Sequence, residues 1–216
     1  MQLTNRSLGE FMQRAVVARC AAVSVLLSAA LVAVMVMDVA AAAAPSAPLS
    51  YLDEVTATTV TVVAKPIVFA REYPALAVHA RDYITLCAAQ VNRSGRFSQY
   101  LVGFFWSTID RRHSPKVTPE SVARVTLLAD DREITLLAAP ATLAEAGMGH
   151  PPCKAPSPLV APILYATDGA TLAYIASAQR LIVKTTDEPD VEPYRLWTDT
   201  RAELREFADA VNLRAR

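Results

Sequence analysis

The sequence predicts an α+β domain in which an antiparallel β-sandwich-like sheet is covered by two C-terminal helices. Three observations carry that expectation. Residues 55–139 consist of β-branched and aromatic runs separated by short turn signals, as antiparallel strands require. After residue 158 the pattern changes to strand, helix, strand, strand, helix. Finally, Thr200-Arg-Ala-Glu203 reads as a capping box before Leu204, Phe207, Ala208 and Val211, which share one helical stripe. Strands followed by helices point to an α+β layout, with an all-β domain carrying peripheral helices as the alternative.

Residues 45–54 read as a spacer, and the globular domain is expected over 55–216, β-rich over 55–139 and mixed over 158–213. Val55–Ala64 (VTATTVTVVA) suits a strand. Pro66 interrupts it, so Ile67–Arg71 is a second strand or the same strand resumed at a sheet edge. Asp82–Asn92 and Arg96–Asp110 flank the turn signal Asn92-Arg-Ser-Gly95 and form a hairpin. In its second arm Tyr100, Val102, Phe104 and Trp106 share one face, and Leu101, Phe105 and Ile109 the other. Both faces are apolar, so this arm is a central strand covered on both sides. Ser121–Ala129 and Arg132–Ala139 form another hairpin around Asp130-Asp131. Pro140–Ser157 is a loop with a short turn at 142–146. Pro158–Ala166 is a strand, and Asp168 caps a helix over Gly169–Gln179. Leu181–Thr185 and Tyr194–Trp197 are short strands, with Arg195 and Asp199 close enough in sequence to pair.

The whole chain has 216 residues, 21 basic against 21 acidic side chains, 53% hydrophobic residues and six glycines. Zero net charge argues against a nucleic-acid binder that neutralises phosphates, and the hydrophobicity argues against global disorder. Much of the apolar excess lies at Cys20–Met37, CAAVSVLLSAALVAVMVM, preceded by Arg14 and Arg19 and followed by small residues over Ala40–Ala44. A basic segment, an apolar run and a small-residue region are the parts of a secretory signal peptide. Met12 offers a more usual start for such a segment than Met1. The alternative is an uncleaved anchor, since eighteen apolar residues just span the ~30 Å hydrocarbon core. Either way the body is exported to the periplasm or cell envelope, and membrane contact is confined to residues 20–37. Without residues 1–44 the body keeps 18 basic and 19 acidic side chains, a net charge of −1.

The search for chemistry is mostly negative. There is no glycine-rich nucleotide loop, no H-E-x-x-H, no G-x-S-x-G and no C-x-x-C. No catalytic residue, cofactor or metal is therefore expected, and the protein reads as a non-enzyme. His150 and Cys153 have metal-ligand spacing but no second pair to complete a site. Cys87 and Cys153 remain in the exported body and are a candidate disulfide. Asp110, Arg111, Arg112 and His113 follow the aromatic strand. Together with Phe104 and Trp106, residues Arg111, Arg112 and His113 form the candidate ligand or partner surface.

The stretches YLDEVTATTVTVVAKPIVFARE, ARDYITL and WSTIDRR, within residues 51–112, resemble uncharacterised envelope proteins of Gram-negative bacteria. The resemblance implies an exported or lipoprotein-like protein without an assigned activity. The lipoprotein pattern is not met, because Cys20 precedes the apolar run instead of following it. The leading expectation is an exported, non-enzymatic module that binds another envelope component and no nucleic acid. A periplasmic carrier of a small apolar ligand or lipid is the second reading, and a hydrolase around His113 the third.

Overall fold

The computed structural model describes residues 44–72, 79–108, 119–157, 160–185 and 192–214. From Pro45 onwards these belong to one compact unit, Pro45–Arg216. Of the expected signal or anchor segment, 1–44, residues 1–43 lie outside the described residues. Among those described, no helix is long and apolar enough to cross a membrane.

Ten strands form one antiparallel sheet: β1 (Leu49–Asp53), β2 (Thr58–Val62), β3 (Ile67–Glu72), β4 (Arg81–Arg93), β5 (Arg96–Ser107), β6 (Arg124–Ala129), β7 (Arg132–Leu137), β8 (Ile163–Thr167), β9 (Leu181–Thr185) and β10 (Tyr194–Thr198). Among the described residues three helices accompany them: α1 (Pro119–Ala123), α2 (Gly169–Ser177) and α3 (Arg201–Arg214). The antiparallel, β-rich character and the two C-terminal helices stand as expected. The described strands form a single open sheet.

The long strand β4 organises the rest. One of its edges pairs with β5 over its whole length, from Asp82↔Ser107 to Arg93↔Arg96. Its other edge is shared, β3 taking Arg81–Leu86 and β2 taking Ala89–Asn92. Strands β2 and β3 are therefore one interrupted line, broken next to Pro66, which has no N–H to offer a ladder. This corrects the edge placement, because β3 lies between β4 and β10. It also makes β4 the central strand, with Asp82 to Val91 buried without interruption. Strand β5 is central as well, between β4 and β8.

The spacer expected over 45–54 is also corrected: Leu49–Asp53 pairs residue for residue with β2, from Leu49↔Val62 to Asp53↔Thr58. The free edge of β2 supplied a partner that no local pattern in 45–54 announces. The strand expected from Val55 starts later, at Thr58, because 54–57 is the turn, with Ala57 at φ 52°.

From β4 the sheet runs through β3, β10, β9, β6 and β7 in one direction and through β5 and β8 in the other. Among the described residues it is open except at one bridge, Ala138↔Tyr165, beside which the Ala139 N–H reaches the Leu164 carbonyl at 2.7 Å. Strongly twisted sheets of this size curl in this way. The inner face of the curl carries Phe69, Ile84, Leu86, Leu101 and Tyr165, all buried. Gly103 lies in this layer, and a Cβ there would stand 2.9 Å from the Tyr165 ring. Its bare backbone makes room for the tyrosine, whose hydroxyl donates to the Val122 carbonyl at 2.7 Å.

The helices α2 and α3 pack on each other, and Ile175 and Leu204 reach the inner face. The Asp168 carboxylate caps α2 by accepting the Thr171 N–H at 2.7 Å. The capping box at α3 is not used as expected. The Thr200 hydroxyl donates to the Pro66 carbonyl at 2.9 Å, and the Glu203 carboxylate lies 3.2 Å from Lys65 Nζ. Asp199 accepts the Arg201 N–H instead, at 3.1 Å. The partner expected for Asp199, Arg195, lies 4.0 Å from Glu192, and Asp199 pairs with Arg201.

Candidate functional site

The two cysteines meet. Cys87, on the outer face of β4, and Cys153 have Cα atoms 6.3 Å apart, a separation a disulfide spans, and the bridge between them closes 66 positions of chain. The bridge holds the 140–157 loop against the sheet's outer face, where Ala146 and Met148 are buried. The outer and inner faces are thus covered by different things, a loop and a helix pair.

Beyond the loop, at the other end of β4 and β5, the outer face is aromatic. Tyr83 and Trp106 are direct cross-strand partners, and their rings stack with centroids 4.2 Å apart and planes 11° from parallel. The Trp106 indole N–H donates to the Thr85 hydroxyl at 3.2 Å, which fixes the ring. Trp197 meets Tyr83 edge-on, 6.1 Å away at 82°. Strand β10 slips register between Leu196 and Thr198, so Trp197 is the extra residue of a bulge. Bulges re-aim side chains, and Trp197 stays 54% exposed.

Arg81 completes the cluster. Its guanidinium lies 4.8 Å from the Trp197 ring centroid and donates twice to Glu72, at 2.8 and 3.1 Å. Those hydrogen bonds from the Glu72 carboxylate hold the Arg81 pKa above its ordinary value, against a smaller opposing effect of desolvation. The arrangement sets one exposed indole edge-on to a stacked, largely buried aromatic pair, with an ion-paired arginine and glutamate at its rim. It presents no nucleophile beside a base, and the described residues contain no group of three metal-ligating side chains.

The expected surface is only partly here. Trp106 belongs to the cluster but is half-buried, and Phe104 is fully buried, which removes it from any surface. Phe104 alternates correctly with Trp106, but strand period gives a face and does not say what covers it. Arg111, Arg112 and His113 lie outside the described residues. Sequence reasoning missed Tyr83, Arg81 and Trp197. Tyr83 and Trp106 are readable as partners only once the hairpin register about Asn92–Gly95 is counted out, and nothing in the sequence marks the bulge at Trp197.

The inner face holds a cleft lined by Val63, Lys65, Phe69, Ala88, Ile175 and Leu204, among others, with about 10 Å³ for the centre of a water-sized sphere. That accommodates about one water, far below the ~300–1,000 Å³ of a pocket for a drug-sized ligand. Comparison with protein-family profiles, curated proteins and solved structures finds no match for this chain.

Proposed function

We propose that this chain is an exported, non-enzymatic module of the cell envelope that binds another envelope protein through the Tyr83–Trp106–Trp197 cluster and Arg81. The observation that carries the reading is Trp197, held at an exposed bulge against a buried tyrosine. Tryptophan, tyrosine and arginine are the residues on which protein interfaces concentrate their binding energy. Export is supported by the basic, apolar and small-residue segments over 1–44, and a disulfide pair suits an oxidising compartment. The small inner cleft weighs against a carrier of apolar ligands. The loop over one face and the helices over the other support a sandwich-like layering in which the 140–157 loop replaces a second sheet.

The test is cross-linking and pull-down from periplasmic extract at normal expression, comparing the wild type with Trp197→Ala, Arg81→Ala and the remote control Leu213→Ala. The expected result is a specific partner lost in the first two variants and retained in the control. Absence of a specific partner, or one retained in all variants, overturns the reading.

A further inference from the structure

The 140–157 loop is tied to the sheet unevenly. Its first part is held by hydrogen bonds. The Gly149 N–H donates to the Asp53 carboxylate at 2.7 Å, and the Gly147 carbonyl accepts the Thr56 and Thr58 hydroxyls at 2.9 and 2.6 Å. The Glu145 carbonyl accepts the Arg93 guanidinium at 3.3 Å. On the far side the chain is fixed again at Val160, which is buried, and at β8. Between these anchors residues 150–156 make no hydrogen bond or ion pair among the described residues. Pro151, Pro152 and Pro156 have no N–H to give. This stretch is held by the burial of Pro152 and by the bridge from Cys153 to Cys87.

The bridge is lopsided as well. Cys87 is fully buried, and so is its cross-strand partner Val102. Cys153 is only half-buried, so a thiol arriving from solvent meets the bridge on the Cys153 side. We propose that the Cys87–Cys153 bridge is a redox latch on residues 150–156. A dithiol reductant opens it, and this stretch lifts from the outer face and uncovers Cys87 while the rest of the domain stays folded. One thiolate of the dithiol bonds to Cys153 Sγ and breaks the Sγ–Sγ bond, and Cys87 leaves and takes a proton. The second thiolate of the dithiol then attacks its partner sulfur in the mixed disulfide, and Cys153 leaves and takes a proton. Two electrons and two protons pass to the cysteine pair, and the dithiol becomes a disulfide. The ties at Glu145, Gly147 and Gly149 do not involve the bridge, so they confine the opening to one arc. The latch and the aromatic cluster use different stretches of β4, and failure of one leaves the other standing.

The test is thiol alkylation, read at each cysteine by mass spectrometry, on the protein recovered from the exported fraction. Dithiothreitol serves as the dithiol, and circular dichroism follows the fold. Before reduction neither thiol is expected to label. After reduction both are expected to label, with Cys87 at least about a hundredfold faster than global unfolding of a domain of ordinary stability permits. That rate is expected to stay flat in urea below the unfolding transition, because a local opening exposes little surface. Cys153→Ser, which has no latch, is expected to label at Cys87 at the same rate without reductant. Cys87 that stays unlabelled while Cys153 reacts overturns the proposal. So does a Cys87 rate that climbs with urea as global unfolding does, loss of the folded signal on reduction, or labelling of both thiols before any reductant is added.

Discussion

The Asp53 carboxylate accepts the Gly149 N–H at 2.7 Å, across 96 positions of chain, while also accepting the N–H groups of Val55 and Thr56 at 3.0 and 3.2 Å. One side chain therefore closes the β1–β2 turn and ties the 140–157 loop to it. The Thr56 and Thr58 hydroxyls add a second tie, donating to the Gly147 carbonyl at 2.9 and 2.6 Å. Burial pushes the Asp53 carboxyl up, but the N–H groups of Gly149, Thr56 and Val55 outweigh it and hold the pKa below its ordinary value.

Stability is expected to fall in acid. Asp168 is lowered by the Thr171 N–H, Asp199 by the Arg201 guanidinium and Glu145 by the Thr142 N–H. A carboxyl depressed in the folded state contributes stability above its unfolded value, about 3.9 for Asp and 4.3 for Glu. That contribution is lost as pH falls through the folded value. Urea unfolding between pH 7 and pH 3 should show a plateau followed by a decline below about pH 4. Asp53→Ala should cost about 2 kcal/mol at pH 7, because it takes the acceptor from three part-buried N–H groups, and should make the acid decline shallower.

Opening the Cys87–Cys153 bridge should lower stability by about 4 kcal/mol, the chain-entropy value for a loop of this length. Denaturant midpoints with and without reductant, and for Cys153→Ser, measure it. Mass spectrometry after alkylation should show neither thiol labelled before reduction. Labelling of both without reductant would show the thiols free.

Arg71 and Asp82 form a buried pair, 3.5 Å apart with each side chain 6% exposed, and the guanidinium lies 4.4 Å from the Tyr194 ring centroid. Removing one partner leaves a charge in a poorly hydrated place. Arg71→Ala or Asp82→Ala should each cost about 3–5 kcal/mol. The double variant should cost clearly less than the sum, and a double-mutant cycle by chemical unfolding reads the difference.

Gly147 sits at φ 91°, and a Cβ there would stand 2.7 Å from Val91 Cγ1. Gly95 sits at φ 84° with nothing within 4 Å of that position. Both alanine variants incur the left-handed backbone cost, about 1–2 kcal/mol, but only Gly147→Ala also overpacks the loop against β4. It should cost about 1–3 kcal/mol more than Gly95→Ala, measured as a difference in unfolding free energy.

Several elements were legible because their causes are local. The Asn92–Gly95 turn is readable from Asn and Gly, and the Asn92 side chain accepts the Gly95 N–H at 2.8 Å. The Asp168 cap follows from a side chain that bonds its own backbone neighbourhood, and the Asp130-Asp131 turn from the readiness of aspartate to take a left-handed backbone, φ 51° at Asp130. Strand β1 was not legible, since its signal lies in β2, which needs a partner on its free edge. The capping box failed at Thr200 because a tertiary acceptor, the Pro66 carbonyl, competed for the same hydroxyl.

The candidate site divides in the same way. Alternation put Phe104 and Trp106 on one face, and there both remain, but the interior took Phe104 and left Trp106 half-open.

By itself the sequence determined the β-rich character, most strand and turn positions, the two C-terminal helices and the cysteine pair able to bridge. These follow from residue period, turn chemistry and caps, whose ranges are a few residues. Only the tertiary structure decided that all ten strands join one sheet, that Arg71 meets Asp82 in its interior, and that the bulge in β10 turns Trp197 outwards beside Tyr83. Those outcomes depend on which edges and faces find one another. That choice is made by burial and hydrogen bonding summed over distant segments, which no local pattern encodes.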